Sequence, residues 1–169
     1  GVLGSGQAAA RGIAFVRAEA DRLGVAFEPA LQGYTRLAAA ANGTPLAPKV
    51  NELTAAVLQA GRAMNLSGEE IGGAITAIEQ MISKGTVSAE ELRGQLGERI
   101  PGAFQIAARS MNLTTAELDK MLSTGQVVAT DFLPKFAAEL SRSTAAAAGL
   151  NAASPAAELA RIGNELQGI

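Results

Sequence analysis

Signals that start and stop helices recur along the whole chain, and they constrain its fold more than any other feature. Ser67 is followed three positions later by Glu70, and Thr114 is followed in the same way by Glu117. This spacing is typical of a capping box, in which each side chain binds the backbone amide of the other residue. Apolar residues then recur every three or four positions until a glycine such as Gly85 ends the pattern. The sequence therefore predicts an all-α fold, an irregular bundle of about eight short helices.

The composition favours short helices that pack closely over small side chains. Hydrophobic residues make up 48% of the chain, but aromatic residues only 4%. No segment alternates apolar and polar residues for long enough to predict a strand. A net charge of −2 gives no basic surface for nucleic acid. No apolar run approaches the roughly 20 residues of a membrane span. We therefore expect one helical domain with an apolar core.

The residue types that most often carry catalysis are missing. The sequence contains no cysteine and no histidine, which excludes thiol nucleophiles and histidine-assisted hydrolysis. The pairs Glu69–Glu70 and Glu90–Glu91 fall in predicted first turns of helices, where negative charge complements the helix dipole. The sequence therefore predicts a protein that is not an enzyme, with no catalytic, cofactor-binding or metal-binding residue. One alternative is a cell-wall-cleaving domain with Glu98 or Glu91 as general acid, which would need a second carboxylate across a cleft.

The segment ELRGQLGERIPGAF at 91–104 concentrates residues that disfavour a regular helix. It contains Gly94, Gly97, Pro101 and Gly102. The residue before a proline disfavours the helical conformation, so a short helix should end there. We interpret the segment as a corner at which glycine lets helices approach closely. A functional surface loop at 97–102 is the alternative.

Parts of the chain resemble one another, which predicts stacked helical hairpins. AMNLSGEE at 63–70 matches SMNLTTAE at 110–117, and MISKGTVSAEEL at 81–92 matches MLSTGQVVATDF at 121–132. Residues 23–46 form a fainter third copy. Since one hairpin buries little apolar surface alone, two or three stacked copies would share a core.

The composition changes near the C-terminal end of the sequence. Residues 143–154, STAAAAGLNAAS, are small and uncharged. We expect a helical domain over 1–142, an Ala-rich linker over 143–154 and a terminal helix over 155–169 that is possibly truncated. Leu159, Ile162 and Leu166 give this last helix an apolar side.

A long part of the chain resembles the N-terminal domain of tail tape measure proteins of tailed phages and prophages. The resemblance is carried by SKGTVSAEELRGQLGERIPGAFQIAA at 83–108, MNLTTAELDKML at 111–122 and DFLPKFAAEL at 131–140. YTRLAAAANGT at 34–44 fits the same family more loosely. The resemblance covers roughly 23–142, and its central motif is long and contiguous.

This resemblance implies a structural protein that sets the length of the phage tail and takes part in virion assembly. The expected partners are tail tube subunits, tail assembly chaperones and tail-tip proteins, and a homo-oligomer is possible. The expected location is the virion, preceded by the bacterial cytoplasm during assembly. No cofactor is implied. The alternative is a generic helical protein–protein interaction module unrelated to phage tails.

The length of the chain departs from the family in one respect. A single helix of 169 residues would reach only about 250 Å, whereas a tail of about 1,000 Å needs a far longer ruler. We therefore expect this chain to be a domain of a longer protein or a prophage remnant, folded at one end of the ruler.

Overall fold

The chain forms an all-α fold, which confirms the fold class predicted from the sequence. The computed structural model describes residues 2–168, with side chains from residue 6 onward. Within this range there is no strand, and no helix combines the length and the hydropathy needed to cross a membrane. Nine α-helices lie in the described range: α1 Val2–Leu23, α2 Phe27–Ala41, α3 Val50–Ala63, α4 Gly68–Lys84, α5 Gly97–Arg99, α6 Ala103–Ser110, α7 Thr115–Ser123, α8 Ala129–Asn151 and α9 Pro155–Gln167. A 3₁₀ turn spans Ala47–Lys49, and a π-helical segment spans Glu90–Leu96.

The capping boxes predicted at Ser67–Glu70 and Thr114–Glu117 are confirmed. At the start of α4, the Glu70 amide donates to Ser67 Oγ and the Ser67 amide donates to Glu70 Oε1, both at 3.1 Å. At the start of α7, the Thr114 amide donates to Glu117 at 2.9 Å, and the Glu117 amide donates back to Thr114 Oγ1 at 3.1 Å. These bonds satisfy amides that the first turn of a helix leaves unpaired, so they fix where each helix begins.

The glycine-rich corner forms a π-helical turn. Glu90–Leu96 is π-helical and runs directly into α5. A Cβ on Gly97 would lie 3.1 Å from the Leu92 carbonyl oxygen of the same segment. At Gly94 a Cβ would meet no atom of another helix within 4 Å. These glycines therefore permit a wide helical turn, whereas the sequence had suggested close contact between helices. Gly102, at φ +80°, then redirects the chain into α6.

The core is shared by several helices, and its most extensive contact joins α8 to α3, while α8 also packs on α6. Phe132 and Phe136 are fully buried in α8, with ring centroids 5.4 Å apart. Glycines of α2 and α3 let these helices pack closely against isoleucine side chains of α4. A Cβ on Gly33 would lie 2.4 Å from Ile75 Cδ1, and one on Gly61 would lie 2.5 Å from Ile71 Cδ1. Since small side chains let helix axes approach, an aromatic-poor sequence still fills this core.

Matching segments of the predicted repeat share local geometry. Asn65 and Asn112 both adopt positive φ, at 53° and 56°. In both places the next amide closes the end of the preceding helix, from Leu66 to the Gly61 carbonyl at 2.8 Å and from Leu113 to the Ala108 carbonyl at 2.9 Å. Asparagine tolerates this left-handed conformation better than most residues, and it is a common helix terminator.

The second pair of matching loops lies side by side. Gly85 and Gly125 both have positive φ, at 82° and 71°. The Val87 amide donates to the Val127 carbonyl, and the Ala129 amide donates to the Gly85 carbonyl, each at 2.9 Å. This single antiparallel bridge joins the two loops. The arrangement of the chain as two or three whole repeats stays a prediction.

The predicted linker at 143–154 covers the last turns of α8 and the bend before α9. Thr144 is buried, and its hydroxyl accepts a hydrogen bond from Gln59 of α3 at 3.0 Å. Ser154 then accepts a bond from the Ala157 amide at 3.2 Å and caps α9. The division of the chain into a domain, a linker and a terminal helix stays a prediction.

Candidate functional site

Helix α9 returns to the other end of the sequence and binds the C-terminal end of α1. Arg161 Nε donates to the Asp21 carbonyl at 2.8 Å, and its terminal nitrogen donates to the Arg22 carbonyl at 3.2 Å. The last carbonyls of a helix lack partners within the helix and carry partial negative charge. A guanidinium that donates to two of these carbonyls gives them hydrogen-bond partners and places a positive charge beside their partial negative charge. It therefore attaches α9 to α1 in one orientation.

A second arginine binds the next two carbonyls of the same helix end. Arg62 of α3 donates from Nε to the Leu23 carbonyl at 2.9 Å, and a terminal nitrogen donates to the Gly24 carbonyl. Arg62 is buried, and this burial lowers its pKa below the ordinary value, with a smaller lowering from nearby Arg161. An arginine nevertheless stays charged in a protein, so the helix end is held by two cations.

Two asparagines extend this polar attachment. Asn164 of α9 donates to the Val25 carbonyl and accepts from the Phe27 amide, both at 2.8 Å. It therefore caps the start of α2, where the N-cap residue Ala26 has no side-chain acceptor. Asn151, at the end of α8, donates to the Ala63 carbonyl at 3.0 Å and caps α3.

These contacts orient α9 with its polar side inward and its apolar side outward. Ala157 is the buried residue of the helix, and Arg161 and Asn164 lie on the same inner side. The three large apolar residues point away from the protein, with exposed fractions of 69% for Leu159, 51% for Ile162 and 68% for Leu166. We call these three residues the outer face of α9. Exposed apolar residues at helical spacing are a feature of interaction surfaces.

A groove of about 670 Å³ separates α9 from α1 and the start of α2. Its walls combine small apolar residues with charged ones, including Arg17, Asp21 and Glu165. The Arg17 guanidinium lies 4.2 Å from the centroid of the Phe27 ring, at a distance typical of a cation–π contact. The groove is open to solvent and is bordered by groups of both charges.

The structure places Glu91 and Glu98, which the sequence analysis considered as general acids, in different surroundings. Glu91 is buried, and its Oε1 accepts hydrogen bonds from the backbone and hydroxyl of Ser88 at 3.1 and 3.0 Å. Its other oxygen, Oε2, lies 3.0 Å from Lys84 Nζ, within ion-pair distance but without hydrogen-bond alignment. This carboxylate therefore caps the π-helical segment and is compensated by one lysine.

Glu98 lies elsewhere, in an open pocket of about 360 Å³ that Glu69 and Glu70 also border. Glu70 is already engaged in its capping box, and Arg99 supplies a compensating positive charge at the rim. Among residues 2–168 no group of three or more acidic side chains is placed to hold a metal ion. The pocket is consistent with solvated charges around a helix start.

Sequence reasoning did not identify the polar residues that attach α9. Arg62, Arg161 and Asn164 occur in ordinary helical positions, and no local pattern marks them as caps of other helices. The sequence did contain one signal: at helical spacing, Arg161 and Asn164 fall on the side of α9 opposite Leu159 and Ile162. That pattern predicts two different faces, but it does not say which one contacts the protein.

Comparisons with known proteins give a consistent result. A family model described as "Tape measure protein" matches residues 1–169. A curated relative, the "Probable tape measure protein" of Salmonella phage Felix O1 (isolate Felix O1-VT1), is 34% identical over 140 residues. That match covers 83% of this chain and 19% of the relative, so the chain spans about a fifth of the length of the protein it matches. No solved structure matches the chain.

Proposed function

The chain belongs to the tape measure protein family, and we propose that it is a compact domain that organises one end of the ruler in a phage tail. The observation that carries this proposal is the return of α9 to the end of α1, through Arg161 and Asn164. A measuring rod would be one extended helix. Within residues 2–168 the longest helix has 23 residues, or about 35 Å, and the chain folds back on itself repeatedly.

In this proposal the measurement of tail length belongs to the longer tape measure protein and not to this domain. A helical ruler adds about 1.5 Å of length for each residue. The domain contributes a folded body of fixed size at one end of that ruler. Its role is to attach the ruler to other components of the tail during assembly.

The proposed partners are tail tube subunits, tail assembly chaperones and tail-tip proteins. Family membership supports this set, and the outer face of α9 offers an apolar surface for one of them. The proposed location is the virion, with assembly in the bacterial cytoplasm. A homo-oligomer of the whole ruler is compatible with a single folded domain on each copy.

We propose that the domain itself is not catalytic. The capping role of Glu70 and the ion pair of Glu91 with Lys84 support this, because both explain the acidic residues without a substrate. The test is peptidoglycan cleavage by the purified chain, compared with the Glu98→Gln variant. Cleavage that the substitution abolishes would overturn this part of the proposal.

The experiment that tests the ruler assignment is an in-frame deletion of about 100 codons outside this domain, in the gene that encodes it. Electron microscopy should then show tails shortened by about 150 Å, at 1.5 Å per residue. Tails of unchanged length would contradict the assignment. They would favour the alternative of a helical interaction module unrelated to tail length.

A further inference from the structure

Large exposed apolar residues are concentrated at the end of the described chain. Four of the six lie between residues 150 and 166, and three of these form the outer face of α9. The other members of the set are Ile13, Val128 and Leu150. Leu159, Ile162 and Leu166 follow one another at spacings of three and four residues, so they form one stripe along the helix.

The helix cannot turn this stripe inward without losing its attachment. Arg161 and Asn164 lie opposite the stripe and together make four hydrogen bonds to backbone groups of α1, the α1–α2 turn and α2. A rotation about the helix axis would break these bonds and leave helix-end groups unpaired. The stripe is therefore presented to solvent in a fixed orientation, which reduces the entropy cost of binding a partner.

The width of the stripe fits a single helix. Three large side chains spaced by three and four residues, with the small residues Ala156 and Gly163 beside them, form the narrow seam of a two-helix contact, whereas a globular core face carries more large side chains. Gly163 lies between Leu159 and Leu166 on one edge of the seam, and a Cβ there would meet no atom within 4 Å. Its place beside the seam would let a partner helix approach closely.

The other edge of the seam is acidic. Ile162 is preceded four positions earlier by Glu158 and followed three positions later by Glu165, so both carboxylates lie on its side of the stripe. Both residues are exposed, and Glu158 also forms an ion pair with Arg161 at 2.6 Å. A partner with basic residues along one edge would be attracted to this side.

A second copy of α9 fits this seam poorly. In an antiparallel pair, Glu158 and Glu165 would face the same acidic edge of the other copy, which is unfavourable. In a parallel pair they would face the edge that carries Gly163 and no basic residue, so neither arrangement gives the two carboxylates a cation. The charge pattern therefore favours a different helix.

We propose that the outer face of α9 binds one amphipathic helix of another protein, which carries an apolar seam with lysine or arginine along its edge. This inference rests on the proposed role as an organising domain, since it names the class of partner that one surface accepts. Helix α9 presents its outer face to solvent, and the partner helix covers it.

The test uses three synthetic peptides of about three heptads with the purified chain of 169 residues. The first has leucine and isoleucine along the seam with flanking lysines, the second has the same seam with flanking glutamates, and the third is a scrambled form of the first. Fluorescence anisotropy at moderate salt should show binding of the lysine peptide about tenfold tighter than either other peptide. Equal binding of the lysine and scrambled peptides would overturn the proposal.

Variants of the chain locate the binding surface. Leu159→Ser combined with Ile162→Ser should abolish binding of the lysine peptide, whereas Leu150→Ser, at an exposed residue of α8, should leave it unchanged. Glu158→Gln combined with Glu165→Gln should remove the preference for lysine over glutamate. All of these side chains are exposed, so circular dichroism should confirm that the variants stay folded. Binding that survives the serine substitutions would contradict the proposed surface.

Three further outcomes decide between failure of this inference and failure of the proposed function. A dimer in light scattering that Leu159→Ser dissociates would show that a second copy covers the seam, and it would overturn the inference. If no peptide binds while the deletion outside the domain still shortens tails, the inference fails and the proposed function stands. If peptides bind as expected but tail length does not respond to the deletion, the ruler assignment fails instead.

Discussion

Ala157 of α9 lies directly against Gly24, the residue that ends α1. A Cβ built on Gly24 would fall 2.4 Å from the Ala157 Cβ, closer than two carbon atoms can approach. Gly24 also has a φ of +68°, which favours glycine. This contact joins α1 to α9 and leaves no room for a side chain at position 24.

The substitution Gly24→Ala should therefore release or displace α9. We expect it to lower the free energy of unfolding by about 2–4 kcal/mol, because it adds a steric clash to the cost of a positive φ. Gly43→Ala is the matched control, with a φ of +79° and no atom within 4 Å of its Cβ position. It should cost only about 1–2 kcal/mol. Equal losses in urea unfolding would show that the contact with Ala157 contributes nothing.

Two adjacent glycines of α4 give a second prediction. A Cβ on Gly72 would meet nothing within 4 Å, whereas one on Gly73 would lie 1.8 Å from Arg99 Nε. Gly72→Ala should stabilise the protein by about 0.5–1 kcal/mol, since alanine favours the helix. Gly73→Ala should stabilise it less, because the Arg99 side chain must move and loses its present packing. Thermal unfolding of the two variants checks the difference, and an equal increase in Tm for both would contradict this packing.

The ion pair of Lys84 with Glu91 gives a third prediction. The Glu91 side chain is 2% exposed and the Lys84 side chain 61% exposed. Lys84→Met should lower the free energy of unfolding by about 1–2 kcal/mol, since it leaves a buried carboxylate without its cation. Adding Glu91→Gln should recover part of the loss, because an amide needs no counter-charge. The free energy of unfolding is measured in urea for both single variants and for the double variant. If the loss in the double variant equals the sum of the two single losses, the two side chains do not stabilise each other.

The capping box at Thr114 gives a prediction for acid stability. Hydrogen bonds from Thr114, first the one from its backbone amide, lower the pKa of Glu117. A carboxyl whose pKa is lowered on folding stabilises the protein above its unfolded pKa of about 4.3. That contribution is lost as pH falls through the folded value. Glu117→Gln keeps a capping acceptor without titrating, so its stability should fall less than that of the parent between pH 7 and pH 3. Parallel stability curves for the two proteins would contradict this cause.

Local signals in the sequence predicted much of the fold. Ser67 and Thr114 start helices where their capping boxes indicated, because a cap depends on residues a few positions apart. The orientation of α9 could not be predicted, because it depends on Arg161 and Asn164 meeting helix ends more than 130 positions away in the chain. Periodicity alone would place Leu159 in a core, and only the tertiary contacts show that it faces outward.

The π-helical turn was also beyond sequence reasoning. Its glycines predicted an interruption near Gly97, but a close contact between helices and a wide turn require the same residue type. The Leu92 carbonyl, 3.1 Å from the Cβ position of Gly97, decides between these explanations.

The central claim is that this domain folds at one end of the ruler and does not add to the measured length. An insert of about 60 helix-forming residues at the exposed turn Gly125–Gln126 tests it, compared with the same insert in a rod segment encoded elsewhere in the gene. Electron microscopy should show tails of unchanged length for the first insert and tails longer by about 90 Å for the second. Tails that lengthen by about 90 Å with the insert at Gly125–Gln126 would contradict the claim, since the domain would then be part of the extended ruler.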